Sequence, residues 1–283
     1  QGVRLKELHL TKQQKVKHHF LPEVYLKGFT PEGDDKLFVL RKPYGNISQM
    51  HPAQMMYKKH LYTVKGFDNP QMIEDFYQEV ESELSSAFEV ATYLRKNPSE
   101  YVALKQKASF HQLVKSIIAF QFWRSPTQEA LAIKMSEMLP SIFHSLPNEV
   151  GKTIGINAYF IDYLYQNRGD ESHRKLIQNM VLPLLTFRMY DDTLIDFSFF
   201  VADKDGGYVL TCDNPVIYQD LNQLFCFKSF AFPLTKNIII ASNALNNGFT
   251  VDKFNRQITL QAEERVVGST KELLEHAKEC CGI

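Results

Sequence analysis

The middle of the chain carries the clearest periodic pattern of apolar side chains. Apolar residues recur every three or four positions from Met72 to Phe88, which is the repeat of a helix with one buried face. Asn69-Pro70 precedes this repeat and matches the residues preferred at a helix start. A second repeat lies between residues 99 and 123, and Ser125-Pro126 interrupts the pattern that follows. The sequence therefore predicts a helical block over about residues 70–190.

Shorter segments that favour strands lie on both sides of this block. Before it, Leu37–Arg41 and Asn46–Gln49 are typical of a hairpin. After it, Leu194–Ala202 and Gly207–Thr211 flank Asp205-Gly206-Gly207, a turn that favours a second hairpin. The pattern predicts further strands at Val216–Tyr218, Leu224–Ala231, Asn237–Ser242 and Arg265–Val267. It predicts further helices at Glu23–Lys27, Pro52–Lys59, Thr250–Gln261 and Thr270–Cys280.

The order of these elements determines the fold class that we expect. Strands and helices that are segregated along the chain favour an α+β fold over a doubly wound sheet. We predict an N-terminal β-hairpin region, a central helical block, and a C-terminal, mostly antiparallel sheet with late helices. The chain has no internal repeat or low-complexity linker. We therefore expect a single domain over residues 1–283, whose β-rich part spans about residues 192–267.

Composition places the chain among intracellular globular proteins. Of its 283 residues, 44% are hydrophobic and 23% are charged, so a folded core is expected rather than disorder. The four cysteines include no C-x-x-C pair, which argues against a zinc ribbon and favours a reducing, cytoplasmic location. The N-terminus lacks the apolar core of a signal peptide, and the longest apolar stretch, Ile117 to Trp123, is too short to span a bilayer. No association with a membrane is expected.

Charge is distributed unevenly along the chain. The formal net charge is zero, which excludes a uniformly basic nucleic-acid binder. Residues 1–65 nevertheless carry twelve Lys and Arg residues against five Asp and Glu residues, and residues 71–95 are acidic. Two interpretations stay open. Either the two regions attract each other within the fold, or the basic region meets nucleic acid or another anionic ligand.

Two polar motifs in the first half of the chain could supply chemistry. His18-His19 precedes Pro22, and a histidine can transfer protons or bind a metal near neutral pH. The alternative is that one ring caps backbone groups while the other is solvated. Arg124 lies at the helix break before Ser125-Pro126, where its guanidinium could hold a phosphate. Alternatively, it satisfies the carbonyl groups at the end of the helix.

A third motif, Thr211-Cys212-Asp213-Asn214-Pro215, could aim a carboxylate and an amide outward together. Asp213 could then act as a base, bind Mg²⁺ or Mn²⁺, or orient a histidine. The alternative is an Asx turn that ends a strand. Cys212 has no flanking nucleophile signature. The chain also lacks the sequence markers of P-loop, Rossmann, serine-hydrolase and zincin chemistry.

These motifs are similar to those of a known family. Domain-of-unknown-function family 4238, which is uncharacterised and mainly prokaryotic, opens with Gln-His-Tyr-Val-Pro-x-x-Tyr-Leu-x-x-Phe, followed by Arg-[Ser/Thr]-Pro, Thr-Ser-Asp-Asn-Pro-Val and Phe-Pro-Leu-[Ser/Thr]. The corresponding residues here are 17–29, 124–126, 211–216 and 232–235. The resemblance runs from residue 17 to about 267 and implies one fold and one shared site, without an established activity. Cys212 replaces the family's serine, which argues further against a required thiol nucleophile.

Two functional hypotheses follow. The first is a hydrolase, specifically a nuclease-type phosphodiesterase. In it His19 is the general acid or base, Arg124 holds phosphate, Asp213 orients His19 or binds the metal, and Asn214 bonds to the transition state. His18 and Tyr25 would bind substrate. The second is a non-catalytic binding or regulatory module of a mobile-element or phage-defence system. The same residues would then form a buried network or a pocket for a small anion.

Overall fold

The computed structural model describes residues 15–147, 151, 154–191, 194–202, 208–245 and 248–283. It confirms the α+β class and the predicted order of an N-terminal hairpin, a helical block and a C-terminal sheet with late helices. Within these residues, every helix is too short or too polar to cross a bilayer.

Helices form most of the described structure. They span Glu23–Lys27 (α1), Met72–Lys96 (α2), Tyr101–Lys105 (α3), Ala108–Arg124 (α4), Glu129–Ser136 (α5), Leu139–His144 (α6), Ala158–Gln166 (α7), Glu171–Leu176 (α8), Leu182–Thr186 (α9), Leu221–Phe225 (α10), Val251–Gln261 (α11) and Lys271–Cys281 (α12). A π-helical turn, Ile177–Val181, joins α8 to α9. Every residue from Ile117 to Arg124 is buried. The second half of α4 is therefore enclosed by the rest of the helical block.

The strands form three antiparallel sheets. They span Lys17–His19 (β1), Leu37–Arg41 (β2), Asn46–Met50 (β3), Tyr57–Lys59 (β4), Phe197–Val201 (β5), Thr211–Cys212 (β6), Ala231–Thr235 (β7), Ile238–Ser242 (β8) and Arg265–Gly268 (β9). The sheet orders are β1-β4, β3-β2-β9-β6 and β5-β8-β7. In the four-stranded sheet Val39 lies opposite Val267. The predicted N-terminal hairpin is therefore present, and it shares a sheet with the end of the chain.

Two predicted elements are wrong, and the predicted strand Val216–Tyr218 is reduced to an isolated bridge between Ile217 and Ala231. The predicted helix Pro52–Lys59 is a 3-10 turn followed by β4, because β4 pairs along its whole length with β1. The predicted strand Leu224–Ala231 begins instead as helix α10. Asp220 caps that helix, since its Oδ1 accepts a hydrogen bond from the backbone N–H of Gln223 at 3.0 Å. Non-local strand pairing in one case, and an unrecognised cap in the other, outweighed the local pattern.

The pairing predicted for the second hairpin is also wrong. β5 pairs with β8, and β6 pairs with β9. All five residues of β8 are buried, so this strand lies in the centre of its sheet with a partner on each edge. The predicted turn at Asp205-Gly206-Gly207 lies outside the described residues.

Two hydrophobic clusters fill the interior. The larger joins the N-terminal segment, the helical block and the strands β7 and β8. The smaller is formed by the four-stranded sheet, helices α11 and α12, and residues of β7 and β8. Strand pairing between the two ends of the chain agrees with the single-domain organisation, which stays a prediction.

Candidate functional site

The first motif residue, His18, lies in the interior. Its Nδ1 accepts a hydrogen bond from the backbone N–H of Tyr62 at 2.8 Å, and its Nε2 lies 3.0 Å from the carbonyl oxygen of Lys15. Both contacts are satisfied only by a neutral ring that carries its proton on Nε2. Burial lowers the pKa of His18, while the charge of Glu74 opposes that shift. Both ring nitrogens of His18 already have partners inside the protein. Substrate binding by His18 therefore stays a prediction without a free ring nitrogen to support it.

Arg124 is buried, with 2% of its surface exposed. Its Nε and Nη2 donate to the main-chain oxygen of His19 at 3.0 and 2.6 Å, and Nη2 also pairs with Glu81 Oε1 at 2.6 Å. The guanidinium lies over the ring of Tyr77, 4.2 Å from its centroid. The guanidinium of Arg124 therefore links α4 to β1 and α2. Phosphate binding by Arg124 stays a prediction.

The ring of His19 differs from that of His18. It contacts Tyr57 edge-on, and its Nε2 is buried without a hydrogen-bond partner among the described residues. Burial lowers the pKa of His19, so the ring favours the neutral form near pH 7. Within the described structure no hydrogen bond joins this ring to Asp213. The predicted pairing of these two residues stays a prediction without a contact to support it.

The carboxylate of Asp213 holds the turn before β9. Its Oδ1 accepts from the N–H of Glu263 at 3.0 Å, and its Oδ2 accepts from Glu264 and Arg265 at 2.6 and 3.0 Å. Burial raises the pKa of Asp213, and these three N–H donors oppose the rise. The described part of the chain contains no group of three or more His, Cys, Asp or Glu side chains that could hold a metal. A metal site at Asp213 therefore stays a prediction without further ligands.

Hydrogen bonds connect the second motif to the third. Ser125 Oγ donates to the carbonyl oxygen of Asp213 at 3.0 Å, and Gln128 Nε2 donates to Asn214 Oδ1 at 3.4 Å. The carbonyl oxygen of Asn214 also accepts from Gln261 Nε2. We call the set formed by His18, His19, Arg124, Ser125 and Asp213 the motif network. Folding thus links residues from the start, middle and last third of the chain, through hydrogen bonds to the main-chain oxygens of His19 and Asp213. The shared site of their side chains stays a prediction.

Tyr25 and Cys212 belong to the core near this network. The Tyr25 hydroxyl donates to the carbonyl oxygen of Pro233 at 2.8 Å and bonds to Thr211 Oγ1 at 2.7 Å. Burial raises the pKa of the Tyr25 hydroxyl and of the Cys212 thiol. A buried thiol with a raised pKa is a poor nucleophile. Substrate binding by Tyr25 stays a prediction.

A large cavity, which we call the basic cleft, lies beside the motif network. It has a volume of about 950 Å³ and is lined by residues 58–67, by Pro70, by the junction of α4 and α5, and by Glu171, Lys175, Gln178 and Asn179. This volume is within the range of small-molecule sites. Five cationic side chains and two carboxylates line it: Lys58, Lys59, Lys65, Arg124 and Lys175, with Glu129 and Glu171.

The cations of the basic cleft are not equivalent. Lys175 Nζ pairs with Glu171 at 2.7 Å and donates to the carbonyl oxygens of His60 and Thr63. In contrast, Lys58, Lys59 and Lys65 are exposed, and none of them forms an ion pair with another described residue. After Lys175, the charge of Lys65 contributes to the lowered pKa of Glu171.

The backbone around the basic cleft adopts unusual conformations. Met56 and His60, on either side of β4, have φ angles of 53° and 56°, which residues other than glycine rarely adopt. A main-chain hydrogen bond holds each of these two residues. The Phe20 N–H donates to the Met56 oxygen at 2.9 Å, and the His60 N–H donates to the Val16 oxygen at 2.8 Å. The π-helical turn supplies Gln178 and Asn179 to the wall. Strained residues and π-turns are enriched at functional sites.

The motif network supports the wall of the basic cleft. His18 holds the backbone of Tyr62, whose hydroxyl donates to the carbonyl oxygen of Arg124 at 3.3 Å. Gln178 Nε2 donates to the carbonyl oxygens of Trp123 and Ser125 at 2.9 and 3.1 Å. Sequence reasoning missed the lysines of the cleft as individual site residues. The signal that could have found them was Lys58-Lys59-His60, the densest cationic run of the basic N-terminal region.

Fold and site together define an α+β protein in which a basic cleft lies beside a buried polar network. The chain belongs to the family described as protein of unknown function DUF4238, whose model matches residues 17–272. This match confirms the resemblance seen in the motifs. No curated protein and no solved structure matches the chain.

Proposed function

We propose that this protein is a binding module for a phosphorylated ligand and that the basic cleft is its ligand site. The observation that carries this proposal is the presence of three exposed lysines, Lys58, Lys59 and Lys65, around one large cavity, unpaired with other described residues. Lysine binds phosphate as a point charge, without the fixed geometry that arginine needs. A concave site with several such charges attracts compact anions.

The motif network supports binding over catalysis. A general base must reach the proton that it removes, and a catalytic cation must reach the reacting group. His18, Arg124 and Asp213 instead use their polar atoms on backbone groups of the protein. Such hydrogen bonds rigidify the fold around the cleft. The residues that match the family's motifs, His19, Arg124, Ser125 and Asp213, would then recur because they hold the cleft in shape.

The proposal is tested by titrating inorganic tripolyphosphate into the protein in a calorimeter. We expect the variant Lys58→Gln/Lys59→Gln/Lys65→Gln to bind at least about tenfold more weakly than wild type, a change of about 1.4 kcal/mol. The matched control is Lys36→Gln/Lys96→Gln/Lys107→Gln, which removes three exposed lysines outside the cleft. Absence of binding by wild type, or equal losses in both variants, would refute the proposal.

A second candidate, a nucleic-acid phosphodiesterase, is favoured by one observation. The neutral ring of His19 carries a nitrogen without a hydrogen-bond partner among the described residues, and this buried nitrogen would have to become accessible to substrate before it could act as a general base. The test is incubation of the protein with labelled RNA and DNA, with and without Mg²⁺ or Mn²⁺. Cleavage that disappears in His19→Gln at an unchanged melting temperature would establish this activity. Intact substrate with wild-type protein would refute this candidate.

A further inference from the structure

We propose that the ligand of the basic cleft is a single nucleoside phosphate rather than a nucleic-acid strand, an inference that rests on the proposed function. It depends on two features, which are the charges that line the cleft and the cavities beside it, and the aromatic ring in the wall of the cleft.

The surplus of cations in the basic cleft does not extend into two cavities that share lining residues with it. A cavity of about 210 Å³ shares Lys58 and Pro126 with the cleft, and Asp213, Glu263, Glu264 and Arg265 also line it, so its carboxylates outnumber its cations. A cavity of about 190 Å³ shares Glu129, Glu171 and Lys175 with the cleft and is also lined by Arg174, so its two carboxylates face two cations. A strand that extends from the cleft into either cavity would leave the surplus of positive charge. A compact ligand would keep its charge beside the lysines.

The aromatic ring of Phe67 offers a surface for a base. Phe67 is half-buried and lines the cleft. It follows Lys65 after a single glycine, Gly66, whose φ of 80° turns the chain sharply. A cation and an aromatic ring therefore lie on one short segment of the wall. Stacking of a base on such a ring contributes about 1–3 kcal/mol.

Side chains behind Phe67 hold its ring in place. The ring packs against His173, with centroids 5.2 Å apart. His173 is itself fixed by hydrogen bonds to Asp170 Oδ1 at 2.7 Å and to the hydroxyl of Tyr163 at 3.0 Å. A ring that is oriented before the ligand arrives loses little conformational freedom on binding. The wall thus combines a preorganised stacking surface with phosphate-binding cations, the two parts that recognition of a nucleoside phosphate needs.

The experiment compares ATP, inorganic tripolyphosphate and a short single-stranded oligoadenylate by calorimetry. We expect ATP to bind wild type at least about tenfold more tightly than tripolyphosphate, the gain that one stacked base provides. Phe67→Leu keeps the apolar bulk and should lower the affinity for ATP to the affinity for tripolyphosphate. Phe67→Tyr keeps the ring and should preserve the higher affinity for ATP. Tyr44→Leu, at an exposed aromatic residue outside the cleft, is the control and should change neither affinity.

The outcomes separate this inference from the proposed function. Tripolyphosphate binding without a gain for ATP would overturn the nucleotide assignment and leave the anion site intact. Tighter binding of oligoadenylate than of ATP would show that a strand is the ligand. An ATP affinity unaffected by Phe67→Leu would overturn stacking on this ring. Failure of wild type to bind any of the three probes would refute the proposed function and the inference together.

Discussion

At the scale of single residues, His18 shows how a motif residue can be committed to one protonation state. Tyr62 donates to Nδ1, so a proton added there would place two donors face to face. The side chain is fully buried, so water cannot replace the lost acceptor. The fold therefore requires a neutral His18.

This requirement should make the stability of the protein depend on pH. The pKa of His18 is lowered in the fold from its ordinary value of 6.5, so below about pH 6.5 the unfolded chain takes up a proton that the folded chain resists. The contribution of His18 to stability is fully present above that pH. It is lost as the pH falls towards the lowered pKa, by at most about 1.4 kcal/mol per pH unit. Urea unfolding at pH 7.5 and pH 5.5 measures this loss.

The matching substitution is His18→Gln, which can accept from Tyr62 and donate to Lys15 without titrating. We expect this variant to lose less stability than wild type between the two pH values. His144→Gln, at an exposed histidine, should keep the wild-type dependence. An identical pH dependence in wild type and His18→Gln would contradict the expectation.

The motifs could be found in the sequence, but the direction of their side chains could not. Asp213 illustrates the reason. Its turn could be predicted from Asn214-Pro215, whereas the three N–H groups that bind it belong to residues 263–265, about fifty positions later. An aspartate in a turn has the same local pattern whether its partner is solvent, a metal or a distant backbone. Only the fold decides between them.

At the scale of elements, Ser125 joins helix α4 to the turn that follows β6. Its hydroxyl accepts from the Thr127 N–H at 3.4 Å and donates to the carbonyl oxygen of Asp213 at 3.0 Å. One side chain therefore caps the turn that begins at Pro126 and satisfies a carbonyl of the third motif. This joint positions the α4–α5 junction, which forms part of the basic cleft.

We expect Ser125→Ala to destabilise the protein by about 1–3 kcal/mol, because the carbonyl oxygen of Asp213 loses a donor in a buried position. Urea unfolding at pH 7.5 measures the change. Ser141→Ala in α6 is the control, since that serine is exposed and should change stability by less than about 0.5 kcal/mol. Equal stability of Ser125→Ala and wild type would show that the joint contributes nothing.

Elements with strong local signals could be predicted, and those that depend on distant partners could not. Helices α11 and α12 follow threonine caps at positions 250 and 270, which the sequence shows directly. Strand β4, in contrast, has only three residues and exists because β1 pairs with it. Two lysines of the cleft, Lys58 and Lys59, were missed for the same reason, because they were expected on a helix, where their side chains would have pointed in other directions.

At the scale of the whole molecule, the four-stranded sheet joins the two ends of the chain. Its order places β9, near the C-terminus, between the N-terminal strand β2 and the short strand β6. The central helical block lies between these segments in sequence and shares the larger hydrophobic cluster with them. A sheet that closes around an intervening block favours one cooperative unit, because neither part can complete its core alone.

Two reporters, one in each part of the molecule, test this cooperativity. Trp123 is the only tryptophan and is buried in α4, so its fluorescence reports the helical block. Cys212 is buried in β6, so its reaction with a thiol reagent reports the β-rich part. The variant Cys226→Ser/Cys280→Ser/Cys281→Ser leaves Cys212 as the only reactive thiol. Burial also raises the pKa of the Cys212 thiol, so labelling should await unfolding.

In a single domain, the loss of buried Trp123 emission and the exposure of Cys212 to a short pulse of reagent should share one urea midpoint, as two-state unfolding requires. Far-ultraviolet circular dichroism should give the same midpoint. Labelling of Cys212 at lower urea than the change in Trp123 emission would show that the β-rich part opens separately. The motif network, which joins α4 to the turn after β6 through Ser125 and Asp213, would then fail to couple the two parts. Coincident transitions would instead mean that the basic cleft forms and disappears with the whole fold.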